Sequence, residues 1–315
     1  MKMKWCMTGF LVANLFAVFQ LQARDAELDR QIFEQNKIKA EKGDAGWQAA
    51  IGWDYFNGFG VERDQAEGIK WYRKAVAQGS AEAEWYLADC YFRGAGVEQD
   101  IAEAIKLYRK SAEQGFDMAE HDLGVCYEKG NGVLKDCVEA VRWYRKSAEH
   151  GDSGGQLALA NCYAGGIGVE KDESVAAIWY RKAAEQGDCA SQFNLGTSLI
   201  KGDGVGKDFV EAYKWLNIAS AQGHEGAKHN LVIVERLMTA EQIAEGQRLS
   251  REFVPHKEIS GQQGSNSNNS TSPNNPTITG TGFFITDDGY LISNYHVVKG
   301  AAKVRLLTGA GLIDA

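Results

Sequence analysis

Proline is scarce in this chain, with 3 among 315 residues. That excludes a proline-rich, extended or collagen-like architecture. Positive charge is also short: 34 Lys and Arg stand against 42 Asp and Glu, a net charge of -8. The deficit argues against a nucleic-acid partner, and a solvated acidic surface explains it. No CxxC pair and no Cys/His spacing suits zinc, so no metal and no cofactor is expected. Beyond the first two dozen residues no stretch is apolar for long enough to cross a membrane.

The N-terminus is the exception. Lys2 and Lys4 precede a mostly apolar run from Cys6 to Phe19, and Ala23 stands before the charged Arg24-Asp25. This pattern predicts a secretory signal peptide over residues 1–23, with an uncleaved anchor as the alternative. The mature chain is then expected outside the cytoplasm, periplasmic or extracellular, with no stable membrane span after cleavage.

Glycine, by contrast, is abundant, with 36 residues. Much of it falls on a ladder: Gly58-Phe59-Gly60-Val61, then Gly94 to Val97, Gly130 to Val133, Gly166 to Val169 and Gly202 to Val205, each 36 residues after the last. Self-similarity at this period is the signature of a solenoid of stacked helix pairs. Each unit reads as helix A, glycine turn, helix B. Helix A carries a large apolar residue (Ile51, Leu87, Leu123, Leu159, Leu195, Leu231) followed by Gly52, Ala88, Gly124, Ala160, Gly196 and Val232. The small residue lets a partner helix approach.

The glycine pair suits a helix C-cap and the turn after it. Asp64, Asp100, Asp136, Asp172 and Asp208, three residues after each valine, are read as N-caps of helix B rather than catalytic carboxylates, because five copies recur in register. Trp71, Leu107, Trp143, Trp179 and Trp215 are read as core packing rather than a ligand-stacking stripe. Residues 24–42 form the second helix of an incomplete first unit. Thr239 with Gln242 makes a capping box for a final helix at about 240–253, and Pro255 ends it. Cys90, Cys126 and Cys162 share one repeat position and are expected to be buried thiols, too far apart to bridge. Cys126 with Cys137 is the one locally plausible disulfide.

The strings Leu195-Gly196, Gly166-Ile167-Gly168-Val169 and Trp179 to Asp188 resemble the Sel1-like repeat, a relative of the tetratricopeptide repeat, over residues 43–238. The resemblance implies an all-α, right-handed α/α superhelical solenoid, here residues 24–256. It also implies a scaffold or adaptor that holds a protein or peptide partner on its concave face.

Residues 257–279 lose hydrophobic periodicity and read as a flexible polar linker. The Asn-x-Ser/Thr matches at Asn268 and Asn269 carry little weight in so polar a run. Periodicity then changes to that of strands: 282–286, a turn at 287–289, a return at 290–293, and a third strand at 304–307.

The segment Gly280 to Ile285 with Asp288 to Val298 resembles the start of a trypsin-like serine protease domain of the HtrA/DegP type. By that resemblance His296 is the general base of a Ser-His-Asp triad, and 280–315 is a short C-terminal β segment, an incomplete trypsin-like barrel. The 315 residues contain no matching nucleophile loop. Gly151-Asp152-Ser153-Gly154-Gly155 spells a similar string, but the repeat register assigns it to the start of a helix A. The expected function is an exported repeat scaffold without catalysis of its own. The alternative is part of a serine endopeptidase whose repeats recruit substrate or partners.

Overall fold

The computed structural model describes residues 26–255 and four short strands at 284–285, 291–292, 305–308 and 311–314. The chain falls into two units, Met1–His256 and Lys257–Ala315. The predicted signal segment 1–23, the linker 257–279 and His296 lie outside the described residues.

The described part of the first unit, residues 26–255, is all helical. Helix α1 (26–41) precedes α2 (Ala45–Asn57), α3 (Gln65–Val76), α4 (Ala81–Arg93), α5 (Ile101–Glu113), α6 (Asp117–Lys129) and α7 (Cys137–Glu149). Then follow α8 (Ser153–Gly165), α9 (Glu173–Glu185), α10 (Cys189–Lys201), α11 (Phe209–Ala221), α12 (Glu225–Glu235) and α13 (Ala240–Glu252). Even-numbered helices from α2 to α12 are the first helices of their repeats, and each odd-numbered helix from α3 to α11 completes one. α1 is the second helix of a half-unit, as the period requires.

The caps form where the repeat places them. The Asp64, Asp100, Asp136, Asp172 and Asp208 carboxylates each accept a backbone N–H from the first turn of α3, α5, α7, α9 and α11. These bonds satisfy donors that a helix start leaves unpaired. Gly58, Gly94, Gly130, Gly166 and Gly202 end the first helices in the left-handed region. The second glycine of each pair has a tertiary reason as well. A Cβ on Gly168 would fall 2.0 Å from the Cys137 carbonyl oxygen. The turn thus lies directly on the start of α7, in the preceding unit.

The core follows the apolar repeat positions. Ile51, Leu123, Leu159 and Leu195 are fully buried. A Cβ on Gly52 or Gly124 would meet the ring of Tyr72 or Tyr144 at 2.6 Å, so these glycines set the spacing inside a helix pair. Trp71, Leu107, Trp143 and Trp215 are buried, while Trp179 is half-buried. Lys74, Lys146 and Lys182 lie 3.6, 4.0 and 4.6 Å above the tryptophan rings of their own helices.

The ends depart from the pattern. In α12, Val232 and Ile233 are exposed, because no further first helix packs there. α13 closes the stack against α11: Gly246 lies on the Tyr213 ring, and the Ser250 hydroxyl donates to the Lys214 carbonyl. Its capping box of Thr239 and Gln242 is complete.

The Cys126–Cys137 bridge does not form. Cys90, Cys126, Cys137, Cys162 and Cys189 are all free. Cys137 begins α7 beneath the Gly168 turn, so it faces the following unit, and it is the Cys162 thiol that feels its charge.

In the second unit β1 (Phe284–Ile285) pairs antiparallel with β2 (Leu291–Ile292), Phe284 opposite Ile292. β3 (Arg305–Thr308) pairs antiparallel with β4 (Gly311–Asp314). The β3 strand matches the expected third strand to within a residue, and β4 is additional.

Candidate functional site

First helices of neighbouring units touch one another, as α2 with α4, α6 with α8 and α10 with α12 do, whereas second helices contact mainly the first helices on either side. The row of first helices therefore forms the inner side of the curved stack. On each first helix the inner stripe recurs every three or four residues. It runs through Trp53 and Phe56 on α2, through Trp85, Tyr86, Asp89 and Phe92 on α4, and through Asp122 and Glu128 on α6. Further along it carries Leu157 and Asn161 on α8, and Phe193 and Thr197 on α10. All of these are half-buried except Asn161, which is exposed.

The stripe is held from behind by the second helices. The Tyr144 hydroxyl donates to Glu128 at 2.6 Å and that of Tyr180 to Asn161 at 2.7 Å. Along the stripe, the Trp85 indole N–H donates to Asp122 at 2.8 Å, and Asn230 donates to the Thr197 hydroxyl at 3.0 Å. Tyr72 stacks on Tyr86 with ring centres 5.1 Å apart, and Trp85 lies 4.9 Å from Tyr86.

The two ends of the face differ in charge. Asp89 and Asp122 are partnered, by Arg93 at 2.7 Å and by His121 at 3.2 Å. Burial pushes the Asp89 carboxyl up, against the pull of Arg93; Glu82, exposed as a residue but surrounded by protein across the concave face, is pushed up as well. The His121 ring is raised: Asp122, Asp152 and Glu128 together outweigh burial, which acts in the other direction. On α8 and α10 the inner residues Leu157, Asn161, Phe193 and Thr197 carry no charge.

A second polar row runs through the stack and escaped the sequence reading. Gln48, Glu84, Glu120, Gln156 and Gln192 are buried at one repeat position. Each meets a residue 30 positions later: Gln78 at 2.7 Å, Gln114 at 2.7 Å, His150 at 2.7 Å, Gln186 at 2.9 Å and Gln222 at 2.8 Å. Gln48, Gln156 and Gln192 also donate to the carbonyls of Ala40, Ala148 and Ala184 at the end of the preceding second helix. This row stitches units together and is structural. The regular pairing of two polar residues 30 apart was the available signal.

The Gly151 to Gly155 string starts α8. The Asp152 carboxylate accepts the Gly155 N–H at 2.6 Å and the Ser147 hydroxyl at 3.1 Å, so it caps a helix. Among the described residues no group of His, Cys, Asp and Glu could hold a metal, and no helix is long and apolar enough to cross a membrane.

The Sel1 repeat family model matches residues 48–80, 81–116, 117–152, 153–188 and 189–224. Among solved structures, a Sel1 repeat protein from Oxalobacter formigenes is 34% identical over 67% of this chain and 88% of that one, with a TM-score of 0.59. The c5321 protein, a protective antigen present in uropathogenic Escherichia coli strains displaying an SLR fold, is 27% identical over 82% of this chain and 76% of its own, with a TM-score of 0.38. Helicobacter pylori cysteine rich protein B is 27% identical over 44% of this chain and 99% of its own, at a TM-score of 0.35. No curated protein matches the chain.

Proposed function

Because the chain belongs to the Sel1 repeat family, we propose that it is an exported scaffold that binds a protein or peptide partner along its concave face. The observation that carries this reading is the inner stripe, where Trp85, Tyr86, Phe92 and Phe193 stay half-buried on helices whose other faces are packed. Aromatic side chains on a rigid face supply contact area at little entropic cost, and such groups dominate binding energy. Peptides selected on the immobilised chain test it. Their binding is expected to fall at least about ten-fold for Trp85→Ala, which removes such an anchor. It is expected to hold for Lys106→Ala on the outer surface of α5. Equal loss in both, or in neither, would overturn the reading.

Export rests on the N-terminal pattern of Lys2, Lys4 and the apolar run to Phe19. N-terminal sequencing of protein recovered outside the cytoplasm is expected to begin after Ala23. An intact Met1 in protein held in the cytoplasm would count against export.

A second reading concerns the C-terminal unit and is favoured by the β1–β2 hairpin. Here His296 would be the general base of a serine endopeptidase and the repeats would recruit its substrate. Base function needs a serine on one side of the imidazole and a carboxylate on the other. A fluorophosphonate probe is expected to leave this 315-residue chain unlabelled; labelling would favour the peptidase.

A further inference from the structure

The second helices carry a tyrosine column at 72, 108, 144 and 180, each reaching the inner face beside its own first helix. Tyr108 hydrogen-bonds Asp89, Tyr144 donates to Glu128 and Tyr180 to Asn161. In the first unit the places of those acceptors are taken by Trp53 and Phe56, which offer none. Tyr72 is 1% exposed. Its ring instead lies flat against Tyr86, with an interplanar angle of 11°.

The surroundings are acidic and short of cations. Glu82 stands one helical turn before Tyr86 on α4, exposed on the concave face and without an ion pair among the described residues. Burial above all disfavours ionisation of the Tyr72 and Tyr86 hydroxyls, and the nearby Glu82 and Asp54 charges add to it. The nearby cations are committed: Arg93 to Asp89 and His121 to Asp122. Stacked aromatic rings beside an unpaired carboxylate suit a planar cation, which gains from the ring faces and from the charge together.

We propose that the inner face spanning α2, α4 and α6 binds an arginine side chain of an extended partner peptide, with the guanidinium against Tyr86 and Trp85 and its charge facing Glu82. The uncharged stripe on α8 and α10 then takes the neutral part of the same peptide. This rests on the reading of the concave face as a peptide site, and it adds the chemistry that selects the peptide. The net charge of -8 favours approach of such a ligand from a distance.

The probe is a fluorescent eight-residue peptide of Gly and Ser with two arginines, beside the same peptide with citrulline, which keeps the shape and loses the charge. Anisotropy with the full chain is expected to show the arginine peptide binding at least about ten-fold tighter than its citrulline twin, as loss of a charged, stacked contact requires. Glu82 is exposed, so Glu82→Gln should fold normally. It is expected to weaken the arginine peptide about five-fold or more and leave the citrulline peptide unchanged. Equal binding of the two peptides, no binding of either, or indifference to Glu82→Gln would overturn the proposal. The broader reading fails separately: peptides selected on the chain that depend on Trp85 but are not enriched in arginine would refute only the arginine site. Selected peptides indifferent to Trp85→Ala would refute the concave face itself.

Discussion

Glu120 Oε2 and His150 Nδ1 lie 2.7 Å apart, at the place where the first, fourth and fifth units pair two glutamines. Glu120 is 1% exposed, and burial pushes its carboxyl up despite the nearby imidazole. The third unit has thus exchanged an amide pair for an ionisable one without changing the geometry. His150→Ala would leave a buried acceptor unpaired and is expected to cost about 1–3 kcal/mol. The double variant Glu120→Gln with His150→Gln rebuilds the amide pair and is expected to recover most of that loss. Urea unfolding of both variants decides it: a double variant no more stable than the single one contradicts the pairing.

Gly168 and Gly223 both have positive φ, at 68° and 93°. They differ in surroundings, since a Cβ on Gly223 meets nothing within 4 Å, while one on Gly168 meets the Cys137 carbonyl. Gly223→Ala is expected to cost about 1–2 kcal/mol of backbone strain. Gly168→Ala adds about 1–3 kcal/mol of overpacking against backbone that cannot yield. Thermal melts should rank them in that order, and equal losses would show that the turn does not rest on α7.

Asp54 occupies the position held by Cys90, Cys126 and Cys162 in later units. Burial, with a smaller contribution from Asp29, pushes its carboxyl from 3.8 up to about 7. The folded state therefore holds a proton that the unfolded state has lost. The associated stability is fully present below the unfolded value of 3.8 and is lost as pH rises through about 7. Asp54→Asn removes this loss. Its advantage over the parent is expected to be absent near pH 4, to grow through neutrality and to level off above it, reaching at most on the order of 4 kcal/mol. An offset that stays the same at acid and alkaline pH would contradict the assignment.

The cysteines separate by burial. The thiols of Cys90, Cys126 and Cys162 are pushed up to about 12, about 11 and about 12. Because only the thiolate reacts, iodoacetamide at mildly alkaline pH should spare all three in the folded chain and modify them in denaturant. Cys137 and Cys189 are half-buried and should react first. Peptide mass mapping reads the order directly.

The parts of this fold that were legible in sequence are those set by local chemistry and then repeated. Asp136 is recognisable as a cap because its partners, Val138 and Glu139, stand two and three residues away. Gln192 gave no such sign: its partners are Gln222 and the Ala184 carbonyl, and a lone glutamine on a helix reads as solvated. Cys137 was misjudged for a related reason. Sequence proximity suggested Cys126, while the Gly168 turn sets Cys137 against the next unit.

The candidate site is the least legible element, and the cause is physical. Core positions stay alike from unit to unit because every unit meets the same neighbour. Trp85 and Tyr86 correspond to His121 and Asp122, then to Leu157 and Ala158, since each of these meets different neighbours from unit to unit. A reading that follows the period discards the residues in which the units differ, and those form the inner face.

The seat of the Gly168 turn has one more consequence. Cys137 and the start of α7 precede that turn in the chain, and Glu173 likewise precedes Gly204, which rests on its carbonyl. Every turn lands on a helix that was synthesised before it. The chain therefore emerges in an order in which each unit's docking platform is already available, and assembly can run from the first unit to the last without waiting for the C-terminus.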